Sequence, residues 1–316
     1  MRKLLVALVF TGLLGTACGQ VEETDTPADG PTVQTRFGPV TVPAEPKRVV
    51  AVGWSDAETA LALGVAPIAA SDWLGFGGEG VGPWAANRYG KAPVILGTQE
   101  LDYEQIHELD PDVILNTRSD NNEETHRELS RIAPTVAAPQ DVIAYGTTWR
   151  QQVELVATAL GKEDEGAALV AEVEDSLAKA ADAHPEFAGR SVAVGAYFSD
   201  QYGAYVRGDA RVDLMESLGF TLKPQIQALA TESFYVELAR EQVELLDADL
   251  TVVFPIGADA SALRSDRVLN QLPSATAGHL VVLDDPALIS AFSSGSALGT
   301  LYAVDKAVPL FAEASG

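Results

Sequence analysis

Apolar and polar positions along the chain switch between two periods. The runs RVVAVG (48–53), VAPIAA (65–70), TVAAP (135–139) and RSVAVGAYF (190–198) are short, nearly continuous and apolar, bounded by Gly or Pro. Runs of that length with β-branched residues predict buried strands. Between them the apolar spacing becomes helical. SDAETALALG (55–64) predicts a helix with Ser55 as N-cap, Glu58 three residues on and Gly64 at its end. EETHRELSRIA (123–133) and ARVDLMESLGF (210–220) predict two more, and a last helical segment runs from Pro286 to Phe311. FGPVTVP (37–43) suggests a short hairpin. Strands that alternate with helices predict a mainly parallel sheet covered by helices.

The middle of the chain breaks this alternation. TWRQQVELVATALG (148–161) places Val153, Val156, Ala157 and Leu160 on one face, and a second helical run continues from Glu165 to His184 with Val170, Val173, Leu177 and Ala181 as its stripe. About 20 helical residues cover roughly 30 Å. The chain therefore divides into two α/β lobes, 37–147 and 188–316, with connecting helices at 148–187. A stiff helix between lobes resists large hinge closure. The two lobes also share a phrase. YEQIHELDPDVIL (103–115) and REQVELLDADLTVV (240–253) align from Glu104 and Glu241, with aliphatics at Ile106 and Val243, Leu109 and Leu246, and acids at Asp110, Asp112, Asp247 and Asp249. The aliphatics fit a helix packed on a sheet, and the acids fit the turn before the next strand. The leading Glu suits a helix N-terminus electrostatically.

The amino terminus has its own pattern. Arg2 and Lys3 precede an apolar stretch, Leu4 to Leu14, and small residues lead to Cys18. The stretch is too short to span a bilayer comfortably and has the layout of an export signal. A lone Cys after such a stretch resembles a bacterial lipobox, except that Gly15 stands where a large aliphatic usual for that motif would be. The expectation is a signal peptide over 1–17, a lipidated Cys18 and a flexible, polar tether over 18–36. No second apolar stretch of about 18 residues follows. Loss of Arg2 and Lys3 would take the formal charge from −24 to −26. Such an acidic chain is a poor binder of nucleic acid. Cys18 is the one cysteine, and His107, His126, His184 and His279 are scattered, so neither a disulfide nor a His-rich metal centre is expected.

In order and spacing, PKRVVAVGWSDAETALALGVAPIAA (46–70), YEQIHELDPDVIL, IAPTVA (132–137), YGTTWRQQ (145–152), DLMESLGF (213–220), REQVELLDADL and LNQLPSATAGHLVVLDD (269–285) resemble the substrate-binding proteins of ABC importers. The likeness is to the helix-bridged class that carries ferric siderophores, haem or cobalamin, and it covers nearly the whole chain after the signal. DWLGFGGEGVGPWAANRYG (72–90) is most similar to the iron–siderophore binders of Gram-positive actinobacteria. The resemblance implies two Rossmann-like α/β lobes joined by one long bridging helix, with the ligand in the cleft between them. It implies a monomer that carries Fe(III) as a siderophore complex, without an intrinsic cofactor or metal site, and delivers it to an ABC permease. In that family one Glu per lobe docks on permease arginines, and Glu104 and Glu241 are the matching positions.

A bulky chelate calls for aromatic faces and a few polar donors outside strand ends. The candidates are Trp54, Trp73, Arg118, Tyr145 and Trp149 in the first half and Tyr197, Tyr205, Arg207, Tyr235, Arg264 and Phe292 in the second. Trp84 and Phe187 fit core packing instead. The glycine-rich GFGGEGVG (75–82) lacks Gly-Lys-Ser/Thr and opens no helix, which suits a mobile loop by the cleft better than a phosphate loop. No Gly-x-Ser-x-Gly elbow marks a hydrolase, and the chain is not expected to be an enzyme. Haem or cobalamin is the alternative cargo, since tyrosines suited to axial ligation of haem are present.

Overall fold

The structure, a computed structural model, describes residues 29–98 and 100–316. The signal peptide and Cys18 lie outside the described residues. The first described element is an antiparallel hairpin of β1 (Thr32–Thr35) and β2 (Gly38–Thr41). The tether expected through 36 thus ends earlier. Alternation at Thr32–Thr35 buries Val33 and Thr35 while Thr32 and Gln34 face out, a pattern that four short residues hide from a search for longer apolar runs.

The first lobe comprises β3 (Val49–Ala51), α1 (Asp56–Ala62), β4 (Ala69–Ser71), β5 (Val94–Leu96), α2 (Tyr103–Glu108), β6 (Val113–Asn116), α3 (Glu123–Ser130) and β7 (Thr135–Ala137). Its five strands are all parallel in the order β5-β4-β3-β6-β7. The order reverses direction between β3 and β6, and a crevice opens beyond the carboxyl ends of strands at such a point. Trp54 and Arg118 follow these two strands, and the Trp54 N–H donates to the Arg118 carbonyl at 2.8 Å.

Next come α4 (Trp149–Leu160) and α5 (Glu163–Ala183). Thr148 and Gln151 form a reciprocal capping box on α4, and Gly161 closes it in the left-handed conformation with φ 63°. The 21-residue α5 is the expected long helix, and it packs on α4 along one side and on the last helix along another.

The second lobe comprises β8 (Ser191–Phe198), β9 (Gln201–Tyr205), α6 (Ala210–Ser217), β10 (Thr221–Leu222), α7 (Pro224–Gln227), β11 (Tyr235–Leu238), β12 (Leu250–Ile256), α8 (Ala260–Ser265), α9 (Arg267–Asn270), α10 (Pro273–Ala277), β13 (Leu280–Val282), α11 (Pro286–Ser294) and α12 (Ala297–Ser315). Its sheet runs β11-β9-β8-β12-β13, with β10 also beside β8. The β8, β12, β13 and β10 pairings are parallel, whereas the β8–β9–β11 edge is antiparallel. The lobes are therefore related but not copies.

The repeated phrase shows the same mixture. Ile106 and Val243 are both fully buried. In each lobe the second acid of the turn ties down the first strand. Asp112 accepts from the N–H groups of Lys47 and Arg48 at 2.6 and 2.8 Å, ahead of β3. Asp249 accepts from the N–H and hydroxyl of Ser191 at 2.8 and 2.7 Å, at the start of β8. The helices differ. Asp102 caps α2 by accepting from Gln105 N–H, whereas Ala239 has no side-chain acceptor and residues Arg240–Leu246 wind as a 3₁₀ helix.

Ser55 corrects the helix start read from the sequence. It sits at φ 63° and caps nothing. Its hydroxyl instead crosses to the second lobe and donates to the Ser294 carbonyl at 2.7 Å. Arg118 Nη1 donates to the same oxygen at 2.7 Å. Glu58 is buried and accepts from Gly82 N–H, Trp84 Nε1 and the Ser296 hydroxyl, so it too spans the lobes. The elbow Ser294–Gly295–Ser296 between α11 and α12 thus latches onto α1. Gly295 has φ 59°, and a Cβ there would sit 1.9 Å from Arg118 Nη1, so no larger residue fits without displacing the arginine.

Candidate functional site

A cavity of about 740 Å³ opens between the lobes. The first lobe contributes Trp54, Trp73 and Leu74, from the turns after β3 and β4. The second contributes Tyr205, Arg211, Phe234, Phe254, Ile256, Asp259, Arg264, Asp284, Ile289 and Ser293, among others. A recess of about 420 Å³ adjoins it and shares Trp54, with Glu100, Asn116, Arg118, Asp120 and Tyr145 on its walls.

The wall of the first lobe is a stack of three rings. Trp54 lies between Trp73, at 4.2 Å and 8°, and Tyr145, at 4.0 Å and 26°. Tyr145 then meets Phe234 of the other lobe edge-on at 6.2 Å. Offset and edge contacts of this kind hold aromatic faces in fixed planes. Tyr145 has φ 59°, unusual for a residue with a side chain. Arg118 Nε donates to its carbonyl at 2.8 Å and holds that turn in place. Arg118 is 4% exposed, and burial lowers its pKa from 12.5 to about 10.

The opposite wall carries Arg211, behind the N-cap Asp209 of α6. Its Nη2 donates to Asp209 at 2.9 Å, and its guanidinium carbon lies 3.7 Å from the centroid of the Tyr205 ring. Arg211 Nε is buried without a partner, an unspent donor on a cavity-lining side chain. Burial raises Tyr205 to about 12 and, with Asp209 nearby, Asp213 to about 6. Arg264, on the cavity rim, pairs with Asp284 at 2.6 Å.

The structure thus brings Trp54, Trp73, Arg118, Tyr145, Tyr205 and Arg264 to the cleft. Five other candidates lie elsewhere. Phe292 is 1% exposed and packs between Phe254 and Phe311, because α11 turns it inward. Trp149 opens α4 and packs on the core with Arg150 over its ring. Tyr197 donates to Asp200 at 2.8 Å in the turn from β8 to β9. Arg207 pairs with Glu216 on the outside. Tyr235 lies across Gly203 and buttresses Tyr205 from behind. Trp84 and Phe187 pack internally, as expected. The glycine-rich loop opens no helix. Asp72 accepts from the N–H groups of Phe76 and Gly77 within it, and Gly82 reaches Glu58.

Arg211 was hidden in the sequence because ARVDLMESLGF reads fully as a helix. Its one signal is an arginine among the buried positions Val212, Leu214 and Met215. Glu104 and Glu241 are both exposed, one on each lobe, and neither lines the cavity.

Known proteins share this architecture. The probable siderophore-binding lipoprotein YfiY of Bacillus subtilis strain 168 is 26% identical over 244 residues, 74% of this chain and 71% of its own. A periplasmic solute binding protein of Mycobacterium smegmatis superposes with TM-score 0.79 at 28% identity, over 90% of this chain and 99% of that one. PiaA of Streptococcus pneumoniae, in complex with ferrichrome, superposes with TM-score 0.77 at 26% identity, over 90% and 98% of the two chains. The model of the periplasmic binding protein family matches residues 49–287, and with two α/β lobes around an aromatic cleft the chain belongs to that family.

Proposed function

We propose that the protein captures a ferric siderophore in the interlobe cavity and delivers it to an ABC importer. The observation that carries this is the cavity itself: about 740 Å³, walled by stacked indoles and holding a buried, partly unspent arginine. A siderophore already wraps its iron, so the site need only grip an organic shell with apolar surface and acceptor oxygens. The relatives described as siderophore-binding or bound to ferrichrome support the reading. The protein binds and releases its cargo without chemistry on it. It works as a monomer on the outer face of the membrane, held by lipid at Cys18, and Glu104 and Glu241 dock on the two permease subunits.

Quenching of tryptophan fluorescence tests the cargo, since Trp54 and Trp73 line the cavity. Ferric siderophores should quench strongly at submicromolar concentration. Tight binding of haem or cobalamin, with no response to any ferric siderophore, would replace the assignment by the alternative cargo. Docking is tested separately. Glu104→Ala with Glu241→Ala should leave siderophore affinity intact and abolish uptake, and unimpaired uptake removes the docking role.

A further inference from the structure

We propose that the cleft selects ferric chelates without net negative charge, of the tris-hydroxamate kind, over triply anionic tris-catecholates. This rests on the siderophore reading above and adds the chemical class to it. Three arginines reach the cavity and its recess, and each is already engaged. Arg264 is paired with Asp284, Arg211 with Asp209, and Arg118 spends Nε and Nη1 on the carbonyls of Tyr145 and Ser294. Against their three positive charges stand Glu100, Asp120, Asp259 and Asp284 on the same walls, a net of −1, and Asp209 behind Arg211 makes it −2. The chain as a whole, these groups included, carries −24. The outer faces of the stack, on Trp73 and Tyr145, are themselves electron-rich and favour neutral or cationic surface. The N–H groups these pairs leave over, such as those on Arg211 Nη1, suit single hydrogen bonds to carbonyl or hydroxamate oxygens, while the charges themselves are already offset by the nearby carboxylates.

A trianion held about 8 Å from two net negative charges is disfavoured by at least about tenfold at low salt, even at the dielectric constant of water. A neutral chelate of the same size escapes this penalty.

The test uses the purified protein and three ferric probes: ferrioxamine B, singly positive; ferrichrome, neutral; and ferric enterobactin, triply negative. Dissociation constants are measured by fluorescence quenching at about 20 mM and about 0.5 M salt, where screening differs strongly. Ferrichrome and ferrioxamine B should bind at least tenfold more tightly than the catecholate at low salt, and the gap should narrow at high salt. Asp284→Asn, which frees Arg264 at an exposed position, should tighten catecholate binding roughly fivefold to tenfold at low salt, with the gain shrinking at high salt. Catecholate binding at low salt as tight as ferrichrome, or no gain in the variant, overturns the charge selection while leaving siderophore capture in place. Failure of all three probes to quench overturns the charge selection, and siderophore capture falls with it when ferric carboxylate chelates also give no response.

Discussion

Arg118→Met separates what this arginine does for the fold from what it does for the cleft. The wild-type guanidinium makes two hydrogen bonds to main-chain carbonyls, Tyr145 at 2.8 Å and Ser294 at 2.7 Å. Bonds from a charged donor contribute about 1.5–3 kcal/mol each, so roughly 4 kcal/mol is lost with them. Burial of the charge works the other way. The fall of its pKa from 12.5 to about 10 is equivalent to roughly 3 kcal/mol of cost, which the neutral methionine removes. The two effects nearly offset, and Ser294 keeps the Ser55 hydroxyl as a donor. Global stability should therefore fall by only about 1 kcal/mol in urea denaturation. The local balance is different. Tyr145 sits at φ 59°, a conformation costing about 1 kcal/mol, and the Arg118 bond holds it there. Without about 2 kcal/mol of restraint, the ratio of stacked to open arrangements of Tyr145 on Trp54 drops about 30-fold, and ferrichrome affinity should fall about fivefold as the stacked state loses its majority. Tyr145→Ala should lose affinity to a similar degree. The double variant should lose little more, since both changes act through one contact. A folded Arg118→Met protein with ferrichrome affinity within twofold of wild type would refute the reasoning.

Two further perturbations test the scaffold. Asp112→Ala and Asp249→Ala each remove an acceptor serving two donors at the start of a first strand, so each should cost about 1–2 kcal/mol, additively because the sites lie in different lobes; a marked departure from additivity in urea denaturation would contradict independent anchoring. Asp56 is fully buried, and burial lifts its pKa from 3.8 to about 6, so between those values the folded state holds more protons than the unfolded one and stability falls as pH rises. Across that window the loss from this group is about 3 kcal/mol. The stability difference between wild type and Asp56→Asn should shift by that amount from about pH 3 to pH 7, and parallel profiles would dismiss the group as the cause.

The lobes and the long helix were legible because both rest on periodicity: apolar runs at Val49–Ala51 and Ser191–Phe198, a helical stripe through Val170, Val173 and Leu177. Trp54, Trp73 and Arg118 were legible because parallel strands place their following residues at the crevice. Phe292 and Trp149 failed the same test, since they lie on helices, where facing is set by packing across the molecule. Ser55 failed for a related reason. A serine before a helix is usually its cap, but here a partner 239 residues away holds the hydroxyl. Arg211 shows the limit most clearly: a helix pattern accounts for every neighbour and says nothing of the ring 3.7 Å from its guanidinium.

The latch at Ser294–Gly295–Ser296 also orders events in time. Residues of the first lobe receive partners that are synthesised much later, at separations of 238 and 239 positions. Until the final elbow arrives, the Glu58 carboxylate lacks the Ser296 hydroxyl and the first lobe lacks its cover. Contacts so distant in sequence form slowly, because a long loop must close before they contribute. The first lobe emerging from the ribosome is thus an unfinished surface, exposed to proteases and to chaperones for as long as the rest of the chain takes to follow. Completion of the fold coincides with arrival of the carboxyl end, so a chain broken before Ser294 leaves the first lobe without its latch.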